Sequence, residues 1–291
     1  MSLLDGKKLS KKIKEEIKVS VEKIVREGKR PPHLAAILVG KDGASQTYVN
    51  HKVKSCEEVG FESTLVRLSE KTTEEELLEE IEKLNQNIEI DGFIVQLPLP
   101  KNIDQDKVIG AINPKKDVDG FHPENFGRMA LELPSFLPAT PYGIMMLLER
   151  NNVDTQGKHT VVIGRSKIVG SPMSILMAQR HKTGNSTVTL THSATQNLAE
   201  FTRKADIIVV ALGIPNFLKG DMVKEGVVVI DVGITRIEDQ AKKNGFRLVG
   251  DVNYEEVAPK ASWITPVPGG VGPMTVTMLM KNTLLAYERF S

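Results

Sequence analysis

The stretch VVIGRSKIVGSPMS, Val161 to Ser174, places a glycine-rich turn between an apolar run and a helical pattern. A turn of that kind presents backbone N–H groups and a helix N-terminus, both suited to phosphate oxygens. Its pattern, from Gly164 through Ser166 to Gly170, is GxSxxxG and not GxGxxG, and a tight strand-to-helix turn accounts for it nearly as well. The next apolar run ends in VTLTHSATQ, Val188 to Gln196, which lacks the Asp or Glu that commonly holds the ribose 2′-hydroxyl of NAD. Arg165 and Ser193 are then candidates to face a 2′-phosphate, which points to NADP, although Arg165 taken alone is a solvated loop charge.

The first half of the chain holds a different set. In SQTYVNHKVKSCEEVG, Val49, Val53, Cys56 and Val59 form an apolar stripe, while Tyr48 and Lys52 stand together on an adjoining face, an aromatic plate beside an amine. A tyrosine and a lysine so spaced are usually surface residues. In GFIVQLPLP, Gln96 ends a buried run at the edge where α/β sheets bind ligands, and prolines then stop the sheet. In KDVDGFHP, Lys116 to Pro123, Asp119 before Gly120 is either a turn residue or a ligand acceptor. TPVPGGVGPMT, Thr265 to Thr275, packs three prolines and three glycines into a poor helix and a poor strand. It is either a connector or a place where backbone passes close to a ligand.

These residues need elements to position them. Strand-like runs His33 to Gly40, Glu62 to Leu68 and Gly92 to Leu97 alternate with helical patterns at Ser45 to Val59 and Thr73 to Asn87. Thr73 and Glu76 form a capping box, followed by an apolar stripe of Leu77, Leu78, Ile81 and Leu84. The second half repeats the alternation with Thr160 to Ile163, Thr187 to Leu190, Asp206 to Val210 and Val227 to Asp231. Runs apolar on both faces belong to parallel sheets covered by helices, so the fold class is α/β with two doubly wound domains. Asn113 to Pro141 is read as an irregular exit from the first domain, and Tyr142 to Asn151 as a bridging helix. A chain of 291 residues with 40% hydrophobic content suits two such domains.

The charge balance, 38 basic against 37 acidic residues, leaves no electrostatic footprint for nucleic acid or an anionic membrane. The expected partner is a small molecule. Cys56 alone cannot make an internal disulfide, and neither metal-spaced His/Cys pairs nor HExxH occur, so no metal is expected. Without a charged-then-apolar leader in Met1 to Arg26 or an apolar run of about eighteen residues, a cytoplasmic location is expected.

Six segments taken together resemble bifunctional methylenetetrahydrofolate dehydrogenase/methenyltetrahydrofolate cyclohydrolase. They are YVxxKxK (Tyr48, Lys52, Lys54), QLPLP (Gln96 to Pro100), KDVDGFHP, GRSxIVGxP (Gly164 to Pro172), DVGI (Asp231 to Ile234) and TPVPGGVGPMT, in family order across nearly the whole chain. The resemblance implies an N-terminal α/β catalytic domain, residues 1–140 plus the C-terminal helix 271–291, and a Rossmann-like NADP-binding domain, residues 141–270, with a cleft between them. It implies oxidation of 5,10-methylenetetrahydrofolate with NADP, then hydrolysis of the methenyl product to 10-formyltetrahydrofolate. Lys52 would be the acid/base, Gln96 its hydrogen-bond partner, Tyr48 a stacking surface for the folate ring system, and Asp119 the acceptor for the pterin's amino group and ring N–H. Pro268, Gly269 and Gly270 would lie against the folate. Gly164, Arg165 and Ser166 would meet the cofactor phosphates, Ser193 would help at the 2′-phosphate, and Ile234 would line the nicotinamide site. A homodimer acting on tetrahydrofolate derivatives is implied. A dehydrogenase of another small acid, on the shikimate dehydrogenase plan, would share two domains and a Lys/Asp pair but leaves the Tyr48, Lys52 and Gln96 set unexplained. A binding protein without turnover would leave the retained Lys52 unexplained.

Overall fold

The computed structural model describes residues 1–240 and 245–290. From the N-terminus the chain forms β1 (Ser2–Leu3) and α1 (Gly6–Arg26), then β2 (His33–Val39), α2 (Gly43–Val59), β3 (Glu62–Leu68), α3 (Glu74–Gln86) and β4 (Gly92–Val95). Three helices follow: α4 (Gln105–Ala111), α5 (Pro123–Ala130) and α6 (Ala139–Arg150). The alternation resumes with β5 (His159–Ile163), α7 (Gly170–Ala178), β6 (Thr187–Thr191), α8 (Leu198–Thr202), β7 (Ile207–Val210) and β8 (Val228–Asp231). An antiparallel pair, β9 (Thr235–Glu238) and β10 (Phe246–Val249), precedes α9 (Tyr254–Val257), β11 (Trp263–Ile264) and α10 (Val271–Phe290).

Two compact units result. The first holds Lys11–Ala139 and the chain from Val276 onward; the second holds Met1–Ser10 and Thr140–Thr275. The sequence places residues 1–10 and 271–275 with the first unit. They pack with the second because Ser2 and Leu3 pair in parallel with Trp263 and Ile264, and because the Lys7 N–H donates to the Gly269 carbonyl at 2.8 Å. A two-residue strand pairing across most of the chain length leaves no local pattern to read.

In the first unit the parallel sheet runs β3-β2-β4. From Leu34 to Val39 the central strand is apolar and buried, as expected of a parallel strand covered on both faces. Thr73 caps α3 as the sequence predicts: its side chain accepts from the Glu76 N–H while the Glu76 carboxylate accepts from the Thr73 N–H. Leu77, Ile81 and Leu84 then pack on Ala35, Ile37, Phe93 and Val95, with Leu78 at the margin. On α2, Val49, Cys56 and Val59 are buried and Val53 is half-buried. The stretch read as irregular, 113–141, contains α5, started by Pro123 at its first turn and by His122, whose Nδ1 accepts from the Glu124 N–H.

The second unit contains a six-stranded parallel sheet in the order β1-β11-β8-β7-β5-β6, its core built from Val161, Ile163, Ile208, Val210, Val229 and Ile264 among others. The chain leaves β5 for β6 on one side and crosses to β7 on the other, a switch that opens a crevice at the carboxyl ends of such strands. No helix of the described residues is long and apolar enough to cross a membrane.

One close approach links the first unit's sheet to the loop beyond it. Phe93 bridges to Asp117 and donates to the Lys116 carbonyl, so 116–118 runs beside β4. A Cβ on Gly92 would lie 2.2 Å from Cγ1 and 3.2 Å from Cβ of Val118, whose own carbonyl is held by Asn282 Nδ2 at 2.8 Å. That bond holds the Val118 backbone in place, so relief falls on a side chain that is itself fully buried. Gly92→Ala is therefore expected to destabilise the chain by about 1–3 kcal/mol, read as a lowered urea midpoint.

Candidate functional site

Lys52 projects from α2 into the first unit and is buried, 9% exposed. A lysine amine in that position needs an acceptor, and Gln96 at the end of β4 supplies it: Lys52 Nζ donates to Gln96 Oε1 at 3.0 Å. The other end of that amide is also committed, since Gln96 Nε2 donates to the Leu97 carbonyl at 2.6 Å, which fixes which atom faces the amine. The backbone of Gln96 continues the sheet by donating to the Ile37 carbonyl. Burial holds the Lys52 amine below the ordinary lysine value, and the negative charge of Asp119 opposes that shift. The reverse holds at Asp119, where burial pushes the carboxyl up and Lys52 pulls it back. The structure thus brings Lys52, Gln96 and Asp119 together. Tyr48 lies one turn before Lys52 on α2 and is 43% exposed, its ring presented at the surface.

Asp119 owes its place to residues that the sequence reading passes over. Asp117, two positions earlier and buried, accepts from the Phe121 N–H (3.2 Å), the His122 N–H (2.8 Å) and Asn125 Nδ2 (2.9 Å), so one carboxylate ties up the turn that carries Asp119. Asn282, buried on α10, donates from Nδ2 to the carbonyls of Val118 and Leu137 at 2.8 and 2.9 Å. Gly120 sits at φ +74°, where a Cβ would also lie 2.6 Å from the Leu137 carbonyl carbon. Asp117 therefore serves the turn, while the Asp119 carboxylate interacts with the Lys52 amine through charge. The alternation of KDVDG was the available signal.

The remaining candidates lie in the second unit. Gly164 ends β5 at φ +111°, and a Cβ there would lie 2.4 Å from the Ala211 carbonyl oxygen; one on Gly170 would lie 1.9 Å from the Gly164 carbonyl oxygen. The turn's own closure demands both glycines. The Ser166 hydroxyl accepts from the N–H groups of Val169 (3.2 Å) and Gly170 (3.3 Å), which satisfies two donors where α7 begins. Arg165 is exposed at the end of β5 and Ser193 is exposed just past the end of the neighbouring β6. A guanidinium and a hydroxyl at adjacent strand ends, with no carboxylate in 188–196, form a donor set that fits a phosphate monoester. Ile234, 38% exposed, follows β8.

Pro268, Gly269 and Gly270 also belong to the second unit. Gly269 has φ +108°, which only glycine adopts easily. Gly270 has another reason: its carbonyl oxygen would lie 1.7 Å from a Cβ on Gly6, and its own Cβ would lie 2.5 Å from the Pro266 carbonyl oxygen. The close backbone approach that this turn permits is thus partly an intrachain one, against the start of α1.

Residues 4–119 match the family model of the tetrahydrofolate dehydrogenase/cyclohydrolase catalytic domain, and residues 138–291 match that of the NAD(P)-binding domain of the same family. The chain is 66% identical over 286 residues to the bifunctional protein FolD of Flavobacterium johnsoniae, covering 98% of this chain and 97% of the relative. It is 63% identical to that of Cytophaga hutchinsonii, with 98% and 99% covered. Among solved structures, the bifunctional FolD enzyme of Campylobacter jejuni superposes with a TM-score of 0.93 at 49% identity, with 99% of each chain covered. The methylenetetrahydrofolate dehydrogenase-cyclohydrolase of Trypanosoma brucei, complexed with NADP and an inhibitor, superposes with a TM-score of 0.92 at 40% identity, with 98% and 96% covered. With both family models matched and relatives at this identity over nearly the full length, the chain belongs to the tetrahydrofolate dehydrogenase/cyclohydrolase family.

Proposed function

We propose that this chain oxidises 5,10-methylenetetrahydrofolate to the 5,10-methenyl cation with NADP and hydrolyses that cation to 10-formyltetrahydrofolate, using one set of first-unit residues for the folate. The observation that carries the reading is a buried lysine amine, 3.0 Å from the Gln96 carbonyl and beside the Asp119 carboxylate, in a chain of this family. NADP, when bound, would supply the hydride acceptor for the methylene carbon; the protein's share of that step is alignment of the two carbons.

Hydrolysis asks for proton transfer. Lys52 in its neutral form accepts a proton from the water that adds to the methenyl carbon, and in its ammonium form returns it to the ring nitrogen as the carbon–nitrogen bond breaks, while the carbinol hydroxyl releases its proton to solvent and becomes the formyl carbonyl. An ordinary lysine is almost wholly protonated at neutral pH and a poor base, so burial that lowers its pKa is the feature that makes this role workable. Gln96 orients the amine, Asp119 accepts hydrogen bonds from the pterin's amino group and ring N–H, and the exposed ring of Tyr48 supplies a stacking surface. Pro268, Gly269 and Gly270 would lie against the folate. The turn at Gly164, Arg165 and Ser166 would hold the phosphates of NADP, Ser193 the 2′-phosphate, and Ile234 would line the nicotinamide site. The family resemblance supports a homodimer working in the cytoplasm.

The first test is the initial rate of reduced-cofactor formation from 5,10-methylenetetrahydrofolate with NADP and NAD at equal concentration. Turnover strongly favouring NADP is expected; a preference for NAD would overturn the roles given to Arg165 and Ser193. Lys52→Met is expected to lower hydrolysis of the methenyl compound by about a hundredfold or more with folate binding largely kept, and full activity in that variant would remove Lys52 from the mechanism. The hydrolysis rate should rise with pH and level off below the 10.5 of a free lysine. Because the Asp119 charge favours the ammonium form, Asp119→Asn should move the Lys52 titration to still lower pH, measurable by NMR of the dimethylated amine; a midpoint that stays or rises would contradict the pairing.

A further inference from the structure

Two buried carboxylates of the second unit, Asp231 and Asp251, have no part in the roles above, yet they bond to two neighbouring turns on one side of the sheet's switch. Three turns leave the carboxyl ends of neighbouring strands: 164–169 after β5, 211–213 after β7 and 232–234 after β8. The first two touch through backbone, since no Cβ would fit between Gly164 and the Ala211 carbonyl oxygen. Asp251, fully buried, reaches the second turn from the segment after β10: its Oδ2 accepts from the N–H groups of Leu212 (2.6 Å) and Gly213 (2.9 Å). Its own N–H donates to Asp231 Oδ1 at 2.9 Å, and the Val252 N–H donates to Asp231 Oδ2 at 3.0 Å. Asp231 Oδ1 also accepts from Gly233 of the third turn at 3.0 Å, and the Asp231 N–H donates to Thr265 Oγ1 at 2.7 Å. Gly233 and Gly250 make room for the pair, because a Cβ on either would lie 2.3 Å from Asp251 Oδ1 or 1.8 Å from Asp231 Oδ2. Asp251 thus joins the turn after β7, through its carboxylate, to the carboxylate anchoring the turn after β8, through its backbone N–H.

Ligands of open parallel sheets bind in the crevice outside the carboxyl ends at the switch, here between β5 and β7. We infer that Asp251 is a positioning residue for NADP: by fixing Leu212 and Gly213 with its carboxylate, it sets the cofactor-facing edge of the sheet at the turn after β7. The inference rests on the NADP reading above. A carboxylate used only as a double acceptor can be replaced by an amide oxygen, whereas a side chain without an acceptor leaves two N–H groups unpaired and the turn free to shift.

The test compares Asp251→Asn, Asp251→Ser and Asp251→Ala with the natural chain in NADP binding by calorimetry, in dehydrogenase kcat and KM for NADP, and in hydrolysis of the methenyl compound without NADP. Expected are an Asn variant within about threefold of the natural affinity for NADP and an Ala variant weaker by about tenfold or more, with Ser between them. Hydrolysis, which uses first-unit residues, should stay within about twofold in all three. An Ala variant that binds NADP normally would overturn the inference. So would parallel loss of both activities, an Asn variant as weak as Ala, or failure of both Ser and Ala to fold, each of which makes the tie a general structural one. If the natural chain itself neither binds NADP nor oxidises the methylene compound with it, the failure belongs to the proposed function and not to Asp251.

Discussion

The first unit is organised around keeping one amine out of water. Burying a charged ammonium is costly, and the structure offsets that cost only in part, with one amide carbonyl and one nearby carboxylate. Full compensation would leave Lys52 an ordinary ammonium, almost wholly protonated at neutral pH; none would leave the amine without orientation. The neutral Gln96 oxygen provides direction with little charge, while Asp119 contributes charge through space. Position follows from this: β4 must end where Gln96 can face α2, and the 117–122 turn must bring Asp119 back to the same amine.

Both units solve their positioning problem with the same device. A turn at the carboxyl end of a parallel strand has N–H groups that no ladder satisfies, and a buried aspartate gathers several of them. Asp117 takes two backbone N–H groups and an asparagine amide; Asp231 takes three backbone N–H groups; Asp251 takes two. Each fixes several φ/ψ pairs at once without occupying the surface that a ligand would use. This separates the residue that shapes a turn from the residue proposed to meet the ligand, as Asp117 is separated from Asp119.

What the sequence made legible was what local chemistry determines. The Thr73 capping box, the βαβαβ order and the glycine turn after β5 all rest on contacts within a few residues, and the observed bounds of β3, Glu62–Leu68, are those the pattern predicts. The site was legible to a lesser degree: Lys52, Gln96 and Asp119 could be named from motif and resemblance, but their meeting depends on packing of α2 against a sheet, which no spacing encodes. α1 went unassigned although Ile13, Ile17 and Val21 are buried at four-residue intervals within it, because its many lysines and glutamates dominate the composition. Asn282 was invisible for a different reason. Its partners, Val118 and Leu137, lie more than a hundred residues away, and an asparagine in a helix carries no sign of which carbonyls it will hold.

The buried aspartates also show what positioning costs. Burial raises the Asp117 carboxyl to about 7 and the Asp231 carboxyl to about 6, above the 3.8 of an exposed aspartate. A carboxyl whose folded pKa lies above its unfolded value binds its proton more tightly in the folded chain, so its contribution to stability falls as pH rises from about 4 toward that raised value and stays low above it. At neutral pH these groups therefore weaken the fold through their desolvation, even while the N–H bonds they accept hold the turns. An apolar residue in either place would remove the electrostatic cost and release the donors, leaving the turn without its shape. At 117, 231 and 251 the shape of the turns thus outweighs the stability that a drier core would give.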